Sequence, residues 1–331
     1  MQSLAFPIAE ASQVSSTRLA LTRLARSLDF DETLEGRVAL LVTEAVTNMV
    51  RHGGGGTFAA RTLARNGSLG VEMLAIDNGP GMADFAASAR DGVSTGGTAG
   101  TGLGAIGRLS DEFEVSTGEG RGTILRSVVW NRPPGEDDEH YQVGAVVVPK
   151  PGESVCGDAW GMVTDRDGAT FLVADGLGHG EEASRAAASA VDVLHRNRGI
   201  DAIRLLDLVH SRLHATRGAA VAVIRHDRAS GEVSFAGVGN IAASIHDGGS
   251  RRAMVSHNGI VGHNVHKSAE FRYPWPRGAL LVAHSDGLES QWDLGALPDL
   301  AGSHPAVIAA ALYRRHSRKR DDTAVLVVRR R

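Results

Sequence analysis

The sequence is poor in cysteine, since Cys156 is the only one among 331 residues. One cysteine excludes an internal disulfide framework and a zinc site built from several thiolates. We expect Cys156 to be a small, buried residue rather than a reactive thiol. Long hydrophobic runs are also missing, because no apolar stretch approaches the roughly 20 residues that a membrane helix requires. The sequence therefore predicts neither a disulfide-stabilised scaffold nor a membrane-spanning protein.

An excess of charge of one sign is missing as well, because 35 lysines and arginines stand against 38 aspartates and glutamates. This balance gives no reason to expect nucleic acid or an anionic membrane as a partner. The segment YRRHSRKR near the C-terminal end is locally basic, and we interpret it as a solvated helix surface. The N-terminal segment MQSLAFPIAEASQ has no basic region ahead of a long apolar core, so we expect no secretory signal and a cytoplasmic protein.

What the sequence does contain is a clear break in its hydrophobic pattern. The segment WNRPPGEDDEHYQ, residues 130–142, is rich in proline, glycine and acidic residues, as exposed linkers are. Helical and strand-like patterns alternate before it, and many short strands with two helical patterns follow it. The sequence thus predicts an α/β (α+β) protein with domains at 1–134 and 141–331, joined by a linker at 135–140.

The first candidate site lies on the segment LLVTEAVTNMVRHG, which has the apolar spacing of a helix. Residues four apart share a helix face, so Glu44, Asn48 and His52 are aligned beside the apolar stripe. A solvated helix edge would show the same polar pattern. The helix alone therefore leaves both interpretations open.

Two downstream segments contain glycine-rich turns that favour the binding of a phosphate-containing ligand. AIDNGPGM is an apolar strand that ends at Asp77 and turns through Gly79 and Gly81. STGGTAGTGLGAIGRL then places several glycines ahead of a helical pattern, which brings bare N–H groups and a helix N-terminus to a phosphate. It lacks the Gly-Lys-Ser/Thr ending of a Walker loop, and a flexible turn has the same composition.

Four segments occur in the order found in the GHKL ATP-binding fold: TEAVTNMVRHG, DNGPGM, GTGLGAIG and GRGTILRSVVW. They match its N, G1 and G2 boxes and its final Gly-Thr element. The stretch from DGVSTGG to SVVW closely resembles the RsbT type of switch serine kinase from bacterial stressosomes, and the resemblance covers nearly all of residues 1–131. It implies a Bergerat-type α/β sandwich that binds ATP and Mg²⁺.

The same resemblance implies roles for individual residues. Asn48 would bind magnesium, and Glu44 would activate the acceptor hydroxyl or order water. Asp77 would accept a hydrogen bond from the adenine amino group, with support from Thr123. Glycines of the two loops would line the nucleotide, namely Gly79, Gly81, Gly100, Gly102 and Gly104. Oxygen ligands suit magnesium, and a carboxylate one helical turn away can receive a proton. We assign His52 to packing at the helix end.

The second candidate site consists of carboxylates at strand ends. Asp175 directly follows the apolar run ATFLVA, Asp286 follows the run ALLVAH after one serine, and Asp321 and Asp322 precede AVLVV. Asp158, in CGDAW, is a further acidic position. An Asp-Gly pair alone is usually only a turn. Buried strand ends that repeatedly present carboxylates, however, imply a compensating cation.

These motifs resemble the metal-dependent PPM phosphatases, most closely the small bacterial SpoIIE and RsbX branch, over residues 141–331. The resemblance implies an α-β-β-α sandwich with two Mn²⁺ or Mg²⁺ ions. Its ligand positions fall on Asp158, Asp175, the carbonyl of Gly176, Asp286 and Asp321.

Three points near these ligands stay open. Asp322 is a supporting group or exchanges roles with Asp321. His179 contacts the site or packs in its turn. No arginine ahead of Asp158 matches the one that holds the substrate phosphate in eukaryotic relatives.

The two resemblances together imply a fusion of a switch serine kinase with its opposing phosphatase. Both would act on a serine or threonine of a STAS-domain phosphoprotein, in a stress-response or sigma-factor pathway. The alternative is a nucleotide-dependent, anti-sigma-like binding module fused to a phosphatase that is the only enzyme. A sensor histidine kinase would need a dimerising helix with a phosphoacceptor histidine, and a chaperone would need further domains. Phosphate transfer by the wild type and by Glu44→Ala separates kinase from binding module.

Overall fold

The structure is a computed structural model that describes residues 3–85, 102–135, 140–265, 268–297 and 300–331. The chain divides into two compact units, Met1–Asp138 and Glu139–Arg331. In the described residues, no helix is long and apolar enough to cross a membrane.

The first unit places helices on a five-stranded antiparallel sheet. Its helices are α1 (Ser12–Arg26), α2 (Glu32–Arg51) and α3 (Gly102–Leu109). Its strands are β1 (Ser3–Ile8), β2 (Gly56–Arg65), β3 (Ser68–Asp77), β4 (Glu112–Thr117) and β5 (Thr123–Trp130). The strand order is β1-β2-β3-β5-β4.

The core of the first unit lies between helix α2 and one face of this sheet. Residues such as Leu41, Val42 and Met49 of α2 pack against Val71 and Met73 of β3. The predicted spacing of α2 is confirmed, because its buried residues, among them Val38, Ala45 and Met49, are apolar and recur at helical spacing. Asp31 caps the helix by accepting a hydrogen bond from the Leu34 N–H at 2.8 Å.

The second unit contains two five-stranded sheets. One has the order β13-β10-β9-β8-β7 and the other β12-β11-β14-β15-β6. The strands are β6 (Tyr141–Val148), β7 (Asp158–Thr164), β8 (Gly168–Gly176), β9 (Ala219–Asp227), β10 (Glu232–Val238), β11 (Ala242–Asp247), β12 (Ser250–Ala253), β13 (Phe271–Pro274), β14 (Leu280–His284) and β15 (Thr323–Arg330).

Helices cover these sheets on their outer faces. They are α4 (Glu181–Arg196), α5 (Ala202–Leu213) and α6 (Pro305–His316). A core that includes Phe171, Phe235 and Leu326 fills the space between the sheets. Helices α4 and α5 close a second core against β7–β10, and α6 contacts β6 and β15. The predicted α-β-β-α arrangement is confirmed.

The structure also contains elements that the sequence patterns did not reveal. Strands β1 and β2 precede and follow the first two helices, and β1 pairs with β2 at the edge of the sheet, where Pro7 is tolerated. The basic segment YRRHSRKR is only partly helical, because α6 ends at His316. The interpretation of the segment as mostly helix surface therefore holds for residues 313–316 and not for residues 317–320.

Candidate functional site

The first candidate site is built where the C-terminal end of α2 meets the end of β3. Glu44 and Asn48 lie one turn apart on α2, and both are half-buried. The Asn48 side-chain nitrogen is buried and has no hydrogen-bond partner among the described residues. A buried amide without a partner is costly, so this group fits contact with a bound ligand.

Asp77, at the end of β3, accepts hydrogen bonds from two neighbouring segments. Its Oδ1 accepts hydrogen bonds from the backbone N–H groups of Gly79 at 2.9 Å and Thr123 at 3.0 Å. Thr123, at the start of β5, therefore supports Asp77 through its backbone. The carboxylate is buried and its orientation is fixed by these two donors.

Glycines make the approach of these segments possible. A Cβ on Gly79 would lie 2.7 Å from the Cα of Gly53, and a Cβ on Gly53 would lie 2.7 Å from the Cβ of Asp77. Gly81 has a positive φ of 68°, and a Cβ there would lie 2.0 Å from the carbonyl oxygen of Gly118. Larger residues at these positions would force the segments apart.

The remaining predicted residues of the first site are placed as follows. Gly102 begins α3 and Gly104 lies within it, and this helix packs against α2. Gly100 lies outside the described residues. His52 is at the C-cap of α2 and is exposed, so it does not pack into the core.

The second candidate site lies at one end of the two sheets of the second unit. Strands β7 and β8 pair so that Asp158 and Asp175 are opposite each other. Asp286 follows β14, and Asp322 precedes β15 directly. Gly287 meets this second segment so closely that a Cβ on it would lie 1.9 Å from the carbonyl oxygen of Asp322. Strand pairing therefore brings Asp158 to Asp175 in one sheet and Asp286 to Asp322 in the other, and the close approach of Gly157 to Asp322 joins the two pairs.

Two buried carboxylate oxygens lack hydrogen-bond partners in the described residues: Oδ2 of Asp158 and Oδ2 of Asp322. The Oδ1 of Asp322 accepts a hydrogen bond from the Lys150 backbone N–H at 2.8 Å. A Cβ on Gly157 would lie 2.7 Å from the Asp322 Oδ2, so a larger residue at this position would collide with this oxygen. Buried, unpartnered carboxylate oxygens are what a cation would satisfy.

The carboxylates also raise one another's pKa values. Burial raises the pKa of Asp158 well above its usual range, and the charge of Asp175 adds to this effect. The pKa of Asp175 rises to about 7, first through burial and then through the charges of Asp286, Asp321 and Asp322. Negative charges that are buried this close together must be neutralised, either by protons on the carboxyl groups or by bound cations.

The donor set fits divalent cations that prefer oxygen, such as Mg²⁺ and Mn²⁺. Among the residues that the structure describes, no three histidine, cysteine, aspartate or glutamate side chains form a group that could hold a metal ion on their own. Backbone oxygens and water would therefore have to complete the ligand set. Gly176, the predicted backbone ligand, is buried next to Asp175, and only glycine fits there because a Cβ would lie 2.1 Å from the carbonyl oxygen of Ala183.

Two neighbours of the carboxylates were missed by the sequence analysis. The Asn240 side-chain nitrogen donates a hydrogen bond to Oδ2 of Asp286 at 2.8 Å. The Ser285 hydroxyl accepts one from the Ala324 N–H at 2.9 Å, and a hydrogen bond with Asp158 opposes the rise in the pKa of that carboxyl. Asn240 ends the segment GVGN, and Ser285 precedes Asp286 in HSDG.

The surroundings of three further residues indicate structural roles. The His179 Nδ1 lies 2.6 Å from Oε1 of Glu153, and the imidazole is exposed. Glu182, on the first turn of α4, forms an ion pair with Arg217. Burial raises the pKa of the Cys156 thiol far above its usual range, which disfavours a reactive thiolate.

Comparison with known proteins covers both units. The family model of the histidine kinase-like ATPase domain matches residues 8–129, and that of stage II sporulation protein E (SpoIIE) matches residues 165–331.

Two curated relatives come from Bacillus subtilis (strain 168). The chain is similar to the serine/threonine-protein kinase RsbT, with 32% identity over 109 residues, which are 33% of this chain and 82% of RsbT. It is also similar to the phosphoserine phosphatase RsbX, with 25% identity over 154 residues, which are 46% of this chain and 77% of RsbX.

Two solved structures are similar to part of this chain. A chain described with the bacterial stressosome, a modular system adapted to control secondary messenger signalling, has a TM-score of 0.53 and 32% identity. The match covers 58% of this chain and all (100%) of that one. A crystal structure of RsbX in complex with magnesium has a TM-score of 0.52 and 22% identity, and covers 59% of this chain and 98% of RsbX.

Proposed function

The chain belongs to the SpoIIE family through its second unit and to the RsbT-like ATPase family through its first, and from this premise we propose a bifunctional enzyme. The first domain, residues 1–134, phosphorylates a serine or threonine of a STAS-domain protein. The second domain, residues 141–331, removes that phosphate, and residues 135–140 link the two. The protein acts in the cytoplasm, in a stress-response or sigma-factor pathway of the partner-switch type.

The observation that carries the phosphatase assignment is the pair of buried carboxylate oxygens without partners, on Asp158 and Asp322. Divalent ions bound at this end of the sheets would be held by the side chains of Asp158, Asp175, Asp286 and Asp321 and the carbonyl of Gly176, with Asp322 in support. Two such ions supply charge neutralisation and an activated water at neutral pH.

The protein's own residues keep this carboxylate set in order. The Asn240 amide fixes one oxygen of Asp286, and the Lys150 N–H fixes one oxygen of Asp322. In the hydrolysis, the water oxygen forms a bond to phosphorus, the bond from phosphorus to the serine oxygen breaks, and a proton of the water passes to that serine oxygen. No nucleophilic side chain is needed for this displacement.

The kinase assignment rests on Asn48 and Asp77. The buried side-chain nitrogen of Asn48 lacks a partner among the described residues, and Asp77 is oriented by two backbone donors. In this proposal Asn48 would hold Mg²⁺ through its side-chain oxygen, Asp77 binds the adenine amino group with support from Thr123, and Glu44 accepts the proton of the attacking hydroxyl. The glycines at 79, 81, 100, 102 and 104 line the nucleotide.

Incubation with candidate STAS-domain proteins, ATP and Mg²⁺ or Mn²⁺, followed by phosphosite mapping, tests both activities. Wild type should attach and remove phosphate at the same residue. Glu44→Gln should lose only the attachment, and Asp286→Asn only the removal. Equal phosphate transfer by wild type and Glu44→Gln would contradict the role of Glu44. Nucleotide binding without transfer would instead favour the anti-sigma-like binding module.

A further inference from the structure

The basic segment that follows α6 does not run into solvent but turns back beside Asp286. The backbone N–H of Arg318 donates to the Gly287 carbonyl at 2.9 Å, and that of Glu289 donates to the His316 carbonyl at 2.9 Å. An isolated antiparallel bridge joins Leu288 to Ser317. These contacts fix the backbone of Arg318 one residue away from a proposed metal ligand.

The Arg318 side chain is available for a ligand. It is exposed, and its guanidinium forms no hydrogen bond or ion pair within the described part of the chain. The Arg318 backbone lies against Gly287, the residue that follows Asp286 directly, so the carboxylates are within the reach of a long arginine side chain.

The other cations near the carboxylates are less suited to bind an anion. Arg217 lies over the loop after β8, 3.2 Å from where a Gly178 Cβ would be, but Glu182 neutralises it. Lys150 contributes its backbone N–H to Asp322, and no arginine occurs in residues 139–157. The unpaired guanidinium nearest to a phosphate at this end of the sheets is therefore that of Arg318, on the side of Asp286.

We propose that Arg318 binds the phosphate of the substrate, a role that rests on the proposed phosphatase function. A guanidinium donates two parallel hydrogen bonds to the oxygens of a phosphate, which fixes the orientation of the group. Arg318 thereby holds the phosphorus in place for the attack of water. Arg318 would thus take the role that an arginine ahead of Asp158 has in the eukaryotic relatives.

The test uses the full chain loaded with Mn²⁺ and compares wild type with four variants: Arg318→Gln, Arg318→Lys, Arg320→Gln and Lys150→Gln. Steady-state hydrolysis of p-nitrophenyl phosphate and of a phosphoserine peptide gives KM and kcat. Titration calorimetry gives the affinity for inorganic phosphate, and electron paramagnetic resonance of free Mn²⁺ gives the metal affinity. Arg320 is the matched control, because it is an exposed arginine of the same segment.

Arg318→Gln should weaken phosphate binding and raise KM for both substrates by roughly tenfold to a hundredfold, the loss expected for hydrogen bonds to a charged group. Arg318→Lys should recover part of this loss, and Arg320→Gln should behave as wild type. The Mn²⁺ affinity of Arg318→Gln should stay the same or rise, because a cation beside Asp286 has been removed. A site that was merely disordered would lose Mn²⁺ affinity instead.

Unchanged phosphate affinity in Arg318→Gln would overturn the proposal. So would an equal loss in Arg320→Gln, which would indicate attraction by the whole basic segment, or a loss confined to Lys150→Gln, which would assign the phosphate to Lys150. If the Mn²⁺-loaded wild type hydrolysed neither substrate, the phosphatase function itself would be wrong. The two failures are therefore distinguishable.

Discussion

At the scale of single residues, Asp175 has the most informative environment. It lies opposite Asp158 in the β7–β8 pair, and its pKa of about 7 results from burial and from three neighbouring carboxylates. A group in this environment is at most partly ionised at neutral pH unless a cation is bound. Its function and its protonation are therefore both linked to the metal.

Asp175→Asn should lower phosphatase turnover by orders of magnitude, because the metal site loses an anionic ligand. Hydrolysis of a phosphoserine peptide after chelation and stepwise return of Mg²⁺, Mn²⁺ or Zn²⁺ measures this effect. The oxygen donors should favour Mg²⁺ or Mn²⁺ over Zn²⁺.

Glu181→Gln is the matched control for Asp175→Asn and should stay near wild type, because Glu181 is exposed on the first turn of α4. Glu182 is less suitable as a control, since it pairs with Arg217. Activity that survived complete chelation would refute the metal site.

We predict that His226 makes the free energy of unfolding depend on pH, and this effect does not involve the catalytic site. Its Nδ1 lies 2.5 Å from the Tyr141 hydroxyl, and burial lowers its pKa to about 4 from 6.5. A lowered histidine pKa means that its stabilising effect is complete above about pH 6.5 and is lost as the pH falls toward 4. Between about pH 7.5 and pH 5, this loss amounts to about 2 kcal/mol.

Urea unfolding at both pH values, followed by tryptophan fluorescence, measures the effect of His226. The decrease in unfolding free energy on acidification should be about 2 kcal/mol smaller in His226→Gln than in wild type. His214→Gln, which changes an exposed histidine, should retain the wild-type decrease. An equal decrease in wild type and His226→Gln would mean that His226 is protonated equally easily in both states of the chain.

At the scale of secondary-structure elements, close approach between elements decides which glycines are essential. Gly144 on β6 lies under α6, and a Cβ there would be 2.0 Å from the backbone nitrogen of Ala306. Gly36 lies in the interior of α2, is exposed, and has nothing within 4 Å of a Cβ position. The two positions therefore predict opposite effects of the same substitution.

Gly144→Ala should destabilise the protein by about 2 kcal/mol or more, because α6 must move away from β6. Gly36→Ala should stabilise it by about 0.5–1 kcal/mol, because alanine favours the helix more than glycine does. Thermal and urea unfolding of the two variants measures both changes. A neutral Gly144→Ala would contradict the close packing of α6 on its sheet.

The sequence predicts helices, strands and the residues at strand ends where the hydrophobic pattern of a single segment is sufficient. The apolar spacing of α2 and the apolar runs ending at Asp175 and Asp286 are such signals, because burial directly shapes the pattern. The pairing of β1 with β2, the contact of Asn240 with Asp286 and the return of Arg318 toward Gly287 depend on segments distant in sequence. No local pattern encodes such contacts.

At the scale of the whole molecule, each unit has a core built from its own residues. The core of α2 and the first sheet uses residues up to Val129, and the cores of the second unit begin at Tyr141. After β5, the chain is still fixed to the first unit, because Asn131 donates to the Leu28 carbonyl at 3.1 Å. A cut after residue 134 therefore leaves these contacts intact.

Residues 1–134 expressed alone should fold and bind ATP in the presence of Mg²⁺. Calorimetry should show weaker Mg²⁺-dependent binding for Asn48→Ala, which loses an oxygen ligand, and for Asp77→Ala, which loses the acceptor of the adenine amino group. Arg23→Ala, an exposed residue on α1, is a suitable control. Equal affinity in wild type and in both site variants would refute this nucleotide site.

The separate cores also predict that the two activities can be removed independently. Asp286→Ala should abolish dephosphorylation of the STAS-domain partner and leave phosphoryl transfer intact, because Asp286 lies among the carboxylates of the second unit. Glu44→Ala should do the reverse, since Glu44 lies on α2 of the first unit.

Separate assays with labelled ATP and with the isolated phosphorylated partner distinguish the two effects, and circular dichroism checks that each variant is folded. In a mixture with ATP, the partner should accumulate as phosphoprotein with Asp286→Ala and as unmodified protein with Glu44→Ala. Loss of both activities in a folded Asp286→Ala protein would mean that the second site controls the first, because a local carboxylate change cannot otherwise reach a nucleotide site with its own core.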